Sequence, residues 1–221
     1  SHANLAPREV KNIAEAHRKY RQTIPSLKGK AIPIALDEWN YWYGPHVYGE
    51  LGTQYFLKDA LGIAAGLHEY YRQSDIIFMA NYAQTVNVIG AIKTSKTAAV
   101  LDSTGIVLEL YRNRYGTIPV AVSGAPQPLD VAAAWKDDSK KVLTVAVVNP
   151  TKTAQTLPLS VRGVRLPATA KLYLVTGADE MACNVPGKEP GVTVKETPNA
   201  PFGRTLALPP LSVSLYEIAV R

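Results

Sequence analysis

The densest chemistry in the sequence lies in Asp37-Glu38-Trp39-Asn40-Tyr41-Trp42-Tyr43. Two adjacent carboxylates are followed by two tryptophans and two tyrosines. A carboxylate can act as a nucleophile or as a general acid or base, and aromatic rings nearby can stack on sugar faces. A plainer reading fits the same residues: the acid is a cap or a salt-bridge partner and the rings are core. The residues of this segment alone leave both readings open.

The elements around the segment decide where it points. Ala31 to Trp39 is an apolar run consistent with a buried parallel strand. Pro33 lacks an N–H and belongs near the start of that strand. By the strand period of two, Ile32, Ile34, Leu36 and Glu38 share one face, and a carboxylate closing such a face is unusual. In a (β/α)8 barrel the catalytic groups stand at the C-terminal ends of strands.

Residues 5–24 read as a helix, with Asn4 able to cap it, Pro7 in the first turn, and Val10, Ile13, Ala14 and His17 on one side. Leu57 to Arg72 reads as a second helix and Asp75 to Tyr82 as a second short strand. Ser103 to Tyr115 reads as a third helix, capped by Asp102 or Ser103 and followed by Gly116. This alternation is that of a parallel sheet or barrel. Two parallel strands cannot bury themselves, so further strands are expected from another segment.

From about Val120 the pattern changes. Short β-rich segments recur at Lys141–Val148, Thr156–Val161, Ala170–Thr176, Val192–Lys195, Thr205–Leu208 and Val213–Ala219, separated by turns such as Asn149-Pro150 and Pro209-Pro210. Such spacing predicts an antiparallel sandwich, with a boundary near Ile118 to Ala125.

The bulk composition excludes several classes. The chain has 221 residues, 47% hydrophobic and 19% charged, enough to bury a core without disulfides. The net charge of +6 is spread along the chain, and the densest basic cluster (His17, Arg18, Lys19, Arg21) reads as a solvated helix face, so no nucleic-acid partner is expected. Cys183 is the single cysteine and allows no internal disulfide. The sequence holds no apolar run long enough to span a membrane. The four histidines (2, 17, 46 and 68) lack metal-ligand spacing, and no phosphate or dinucleotide loop is present, so neither metal nor cofactor is expected. The compartment, cytoplasmic or secreted, stays open. Because the chain begins at Ser1 without Met, it is expected to be a processed piece of a longer protein.

Taken as a whole, Asp37-Glu38-Trp39-Asn40-x-Trp42-Tyr43 resembles the nucleophile segment of family 51 glycoside hydrolases, the α-L-arabinofuranosidases. Asp59-Ala60-Leu61, Arg72-Gln73-Ser74-Asp75 and the run Met79 to Ile89 resemble that family's seventh helix, eighth strand and following loop. Leu208-Pro209-Pro210-Leu211-Ser212-Val213 resembles its last sandwich strands. The resemblance implies that residues 1–119 are the C-terminal part of a catalytic (β/α)8 TIM barrel, incomplete alone, and that residues 120–221 form a jelly-roll-like β-sandwich.

It further implies a retaining glycosidase of hemicellulose breakdown, acting on arabinan, arabinoxylan or their oligosaccharides. Glu38 takes the nucleophile's role, Gln84 hydrogen-bonds the bound arabinose and Trp42 walls the sugar pocket. Asn40 and Asn81 orient their neighbours. The family's acid/base is a Glu on an earlier barrel strand, a motif that neither Glu50 nor Glu69 matches. The chain is therefore expected to need an N-terminal part of the same enzyme, and a homo-oligomer is implied by resemblance. The alternatives are a related clan A endo-glucanase or xylanase, and a non-catalytic carbohydrate-binding or assembly fragment.

Overall fold

The computed structural model describes residues 1–43 and 53–220. The chain runs through α1 (Leu5–Thr23), β1 (Ile34–Trp39), α2 (Leu57–Arg72), β2 (Ile77–Tyr82), β3 (Ile92–Thr94), β4 (Ala99–Leu101) and α3 (Ser103–Arg114). Eight further strands follow: β5 (Ile118–Val120), β6 (Asp130–Trp135), β7 (Val142–Asn149), β8 (Gln155–Pro158), β9 (Thr169–Gly177), β10 (Val192–Pro201), β11 (Thr205–Leu208) and β12 (Ser212–Ala219).

The C-terminal strands form the expected antiparallel β-sandwich. Its main sheet has the order β10-β9-β12-β7-β6-β5, and β8 pairs with β11 as a second, smaller layer. Alternation along β7 explains the stacking. Leu143, Val145 and Val147 pack with Leu157, Leu206 and Leu208 of the small layer. Ala146 and Val148 face the opposite way, into a core shared with α2 and α3. The main sheet is thus buried on both faces, which is why β7 reads as a continuous apolar run rather than an alternating one.

Among the described residues no barrel closes. The parallel element is the pair β1–β2, with Ile34 opposite Ile77 and Trp39 opposite Tyr82. Helix α1 packs on it through Val10 and Ala14, against Ile34, Ile76 and Ile77. Helix α2 lies between this pair and the main sheet, with Leu57, Leu61 and Ile63 almost wholly enclosed, each worth about 1.5–3 kcal/mol of burial. No helix among the described residues is long and apolar enough to cross a membrane.

The cap expectations divide. The Asp102 carboxylate accepts from Ser103 N at 2.8 Å and starts α3 as expected. Asn4 makes no side-chain cap bond. Gly116 does not serve as a left-handed helix terminator; a Cβ there would overlap the Trp135 carbonyl, so close approach of β6 is what requires glycine.

Helix and sandwich are also joined by polar contacts. His68 is fully buried, with Nδ1 2.5 Å from Asp130 Oδ1 and Nε2 2.6 Å from the Tyr111 hydroxyl. Arg72 donates to both Asp130 oxygens, to Glu69 and to the Val131 carbonyl. Burial pushes the Asp130 carboxyl up, but hydrogen bonds and charge from His68 and Arg72 outweigh it and hold the group at about 2. An unfolded Asp titrates near ~3.9. The folded value is depressed, so this stabilisation is present above pH ~4 and is lost as pH falls through about 2. Asp130→Asn is expected to lower unfolding free energy by about 2–3 kcal/mol at neutral pH. In urea unfolding, its gap from the parent is expected to narrow as pH falls from about 4 to about 2.

Candidate active site

The expected site residues gather at one end of the parallel pair. Glu38 is the penultimate residue of β1. Gln84 lies two residues beyond β2. Since β1 and β2 are parallel and Trp39 is paired with Tyr82, both side chains emerge from the C-terminal ends of adjacent strands. Trp42 follows three residues after β1. Glu38 and Gln84 are exposed, and Trp42 is 73% exposed.

The end of β1 departs from simple alternation. Ile34 packs with Tyr70 and the α1 residues, on the helix side of the strand pair. Trp39 also packs on that side, against Tyr70 and Gly66. Two residues of opposite parity share a side because β1 carries an extra residue between Leu36 and Trp39, where it advances three positions against two in β2. Glu38 borders a cleft of about 250 Å³ along the free edge of β1, whose other wall includes Leu5, Val10 and Ile13 of α1. Glu9 borders the same cleft and pairs with Arg8 at 3.4 Å.

The aromatic residues of the segment separate into two kinds. Trp39 and Tyr41 are structural. Both lie on α2, where Gly62 and Gly66 leave room for their rings. A Cβ on Gly62 would overlap the Tyr41 hydroxyl, and one on Gly66 would stand 3.2 Å from the Trp39 ring. Tyr43 donates to Asp59, a buried carboxylate that also accepts from Phe56 N at 2.8 Å and lies 2.6 Å from His2 Nε2. Trp42 is the ring of this segment that remains open to solvent.

Asn40 links the two strand ends. Its Nδ2 lies 2.7 Å from the Tyr55 hydroxyl, 2.7 Å from the Ala83 carbonyl and 2.9 Å from the Ile89 carbonyl, while its Oδ1 accepts from Tyr41 N. The loop after β2 is held by its own backbone as well: Gln84 N donates to Ile89 O, and Ala91 N to Gln84 O. The Ala83–Gln84 peptide bond is cis. Asn81, by contrast, is exposed on β2. His46 and Glu50 lie outside the described residues. The described residues contain no group of three or more His, Cys, Asp or Glu side chains placed to hold a metal ion.

Residues 37–212 match the model of the alpha-L-arabinofuranosidase C-terminal domain. The chain belongs to this family. A probable alpha-L-arabinofuranosidase C of Aspergillus niger is 33% identical over 184 residues, covering 74% of this chain and 35% of the relative. Among solved structures, the family 51 alpha-L-arabinofuranosidase of Thermotoga petrophila is 29% identical with a TM-score of 0.81, over 96% of this chain and 48% of that one. The alpha-L-arabinofuranosidase of Thermotoga maritima, in its arabinose complex, is 28% identical with a TM-score of 0.77, over 95% and 48%. This family member therefore spans about a third of the Aspergillus relative and about half of the two solved ones. Its match to the family model begins at Asp37, within the carboxylate-bearing segment.

The packing of this family member's Tyr41 on α2 generates a direct test. Gly62→Ala is expected to force the ring off the helix and to cost about 1–3 kcal/mol. Gly203→Ala, where a Cβ meets nothing within 4 Å, is expected to leave stability unchanged. Thermal denaturation of the two variants beside the parent checks the pair.

Proposed function

We propose that this chain is the C-terminal part of a retaining α-L-arabinofuranosidase that releases terminal non-reducing α-L-arabinofuranosyl residues from arabinan, arabinoxylan and their oligosaccharides. The observation that carries this reading is the placement of Glu38 and Gln84 at the C-terminal ends of two adjacent parallel strands, within a chain of the arabinofuranosidase family. That end is where (β/α)8 enzymes assemble their active sites.

In this reading β1 and β2 are the seventh and eighth strands of a barrel, residues 1–119 belong to it and residues 120–221 are the sandwich. Preceding strands, supplied by an N-terminal segment or chain of the same enzyme, cover the free edge of β1. Exposed Phe78 and Met79 on β2 and Ile32 before β1 agree with such a cover.

The chemistry then follows. The Glu38 carboxylate attacks the anomeric carbon and the glycosidic bond breaks, giving a covalent arabinosyl-enzyme. A second carboxylic acid on the N-terminal part protonates the leaving oxygen, then deprotonates the water that releases arabinose. In retaining enzymes the two carboxyl groups stand ~5–5.5 Å apart. Gln84 hydrogen-bonds the bound sugar, and the exposed Trp42 ring forms a wall of its pocket. The assembled enzyme is a homo-oligomer and needs no metal or cofactor.

In the full-length enzyme, Glu38→Ala is expected to reduce hydrolysis of 4-nitrophenyl α-L-arabinofuranoside by several orders of magnitude, with partial recovery in azide as an external nucleophile. Undiminished activity in that variant would make the segment structural. Faster parent turnover of the β-xyloside or of cellulose would assign the chain to a different glycosidase specificity.

A further inference from the structure

Asn40 stands two residues beyond Glu38, yet its hydrogen bonds go to the neighbouring strand's loop. Its Nδ2 meets the carbonyls of Ala83 and Ile89, the residue before Gln84 and the residue that accepts from Gln84 N. The same nitrogen meets the hydroxyl of Tyr55, which is fully buried and itself donates to Tyr41 O at 2.8 Å. Burial, with the negative groups nearby, holds the Tyr55 phenol far above its ordinary value, so its hydroxyl keeps the proton it donates. An amide NH2 is the group that suits this place. It donates to two main-chain carbonyls of the loop, Ala83 O and Ile89 O, the second shared with Gln84 N, and its Oδ1 accepts from Tyr41 N.

We propose that Asn40 is a positioning residue that fixes Gln84 relative to Glu38, so that the nucleophile and the sugar-binding amide hold one distance and one orientation. The inference rests on the roles proposed above for Glu38 and Gln84 and adds the coupling between them. The pair sits on separate strands, and Asn40 is the side chain that bonds from the segment of one to both ends of the other's loop. A carboxylate at this position would set oxygen against oxygen at Ala83 and Ile89, and a shorter side chain would leave both carbonyls without this donor.

The test uses the full-length enzyme with Asn40→Ser and the isosteric Asn40→Asp, each alone and combined with Gln84→Ala. Loss of precise placement is expected to lower kcat/KM on 4-nitrophenyl α-L-arabinofuranoside on the order of 10²-fold in the single variants. With Gln84→Ala already present, the same Asn40 change is expected to add less than about threefold, because the two act as one unit. Amide exchange is expected to rise at Gln84 to Ala91 and to stay unchanged in α3 and β7.

A loss that multiplies fully with that of Gln84→Ala would overturn the proposal, and so would kcat/KM within about twofold of the parent, since interacting sites must depart from additivity. Exchange raised throughout the chain in both variants would overturn it too, by showing that Asn40 serves the whole fold. Glu38→Ala run in parallel separates the two levels. An inactive Glu38 variant beside active Asn40 variants removes this inference alone, whereas an active Glu38 variant removes the reading beneath it as well.

Discussion

The enclosure of α2 between two β layers is the constraint on which the rest of the molecule depends. On one side the helix presents Gly62 and Gly66, and the rings of Tyr41 and Trp39 lie directly on its backbone. On another, His68 and Arg72 reach Asp130 on the first long strand of the sandwich. Close packing of rings on glycines permits little sliding, because protein interiors yield poorly to volume changes. The buried polar contacts add direction, since each group left without its partner costs more than the bond itself contributes. The strand that carries Glu38 is thereby placed relative to the main sheet through one helix.

The start of the same helix is held equally firmly. Asp59, buried at its first turn, accepts from Phe56 N and receives Tyr43 and His2. Tyr43 ends the described part of the segment that contains Glu38, Asn40 and Trp42. Helix α2 thus anchors that segment at Trp39, Tyr41 and Tyr43 and leaves the residues between them, Asn40 and Trp42, for other work. Asn40 turns to the loop after β2 and Trp42 to solvent. A run of four aromatic residues acquires a division of labour from which of them the helix can accommodate.

Much of this was legible in the sequence, and the exceptions have physical causes. The second helix was read at its observed bounds, because its apolar positions recur at helical spacing. Thr205–Leu208 was likewise read as observed. Four strands were not read. β3 and β4 are three residues long and pair with one another, too short to show a period. β6, Asp130–Trp135, is rich in alanine, which has little strand preference, and is recruited by pairing with β7. β5 contains Pro119, which is tolerated because it lies at the edge of the sheet. β10 was read only to Lys195. Its polar continuation to Pro201 forms the opposite edge, where solvent-facing side chains hide the strand pattern. At the site, the end of β1 was readable, but its irregularity was not. An extra residue between Leu36 and Trp39 interrupts the simple period, and nothing in a single sequence announces it. The tasks of Trp39 and Tyr41 were hidden for a related reason: glycines about twenty-five residues later decide which rings are core.

The covalent step is the centre of the account, and it can be observed directly. The full-length enzyme is mixed with a fluorinated aryl α-L-arabinofuranoside that forms the intermediate quickly and releases it slowly, then digested and mapped by mass spectrometry. A single added fluoroarabinosyl group is expected on the peptide containing Asp37-Glu38-Trp39, with fragmentation placing it on Glu38. A label on any other carboxylate, or complete turnover by an enzyme that never carries one, would contradict it.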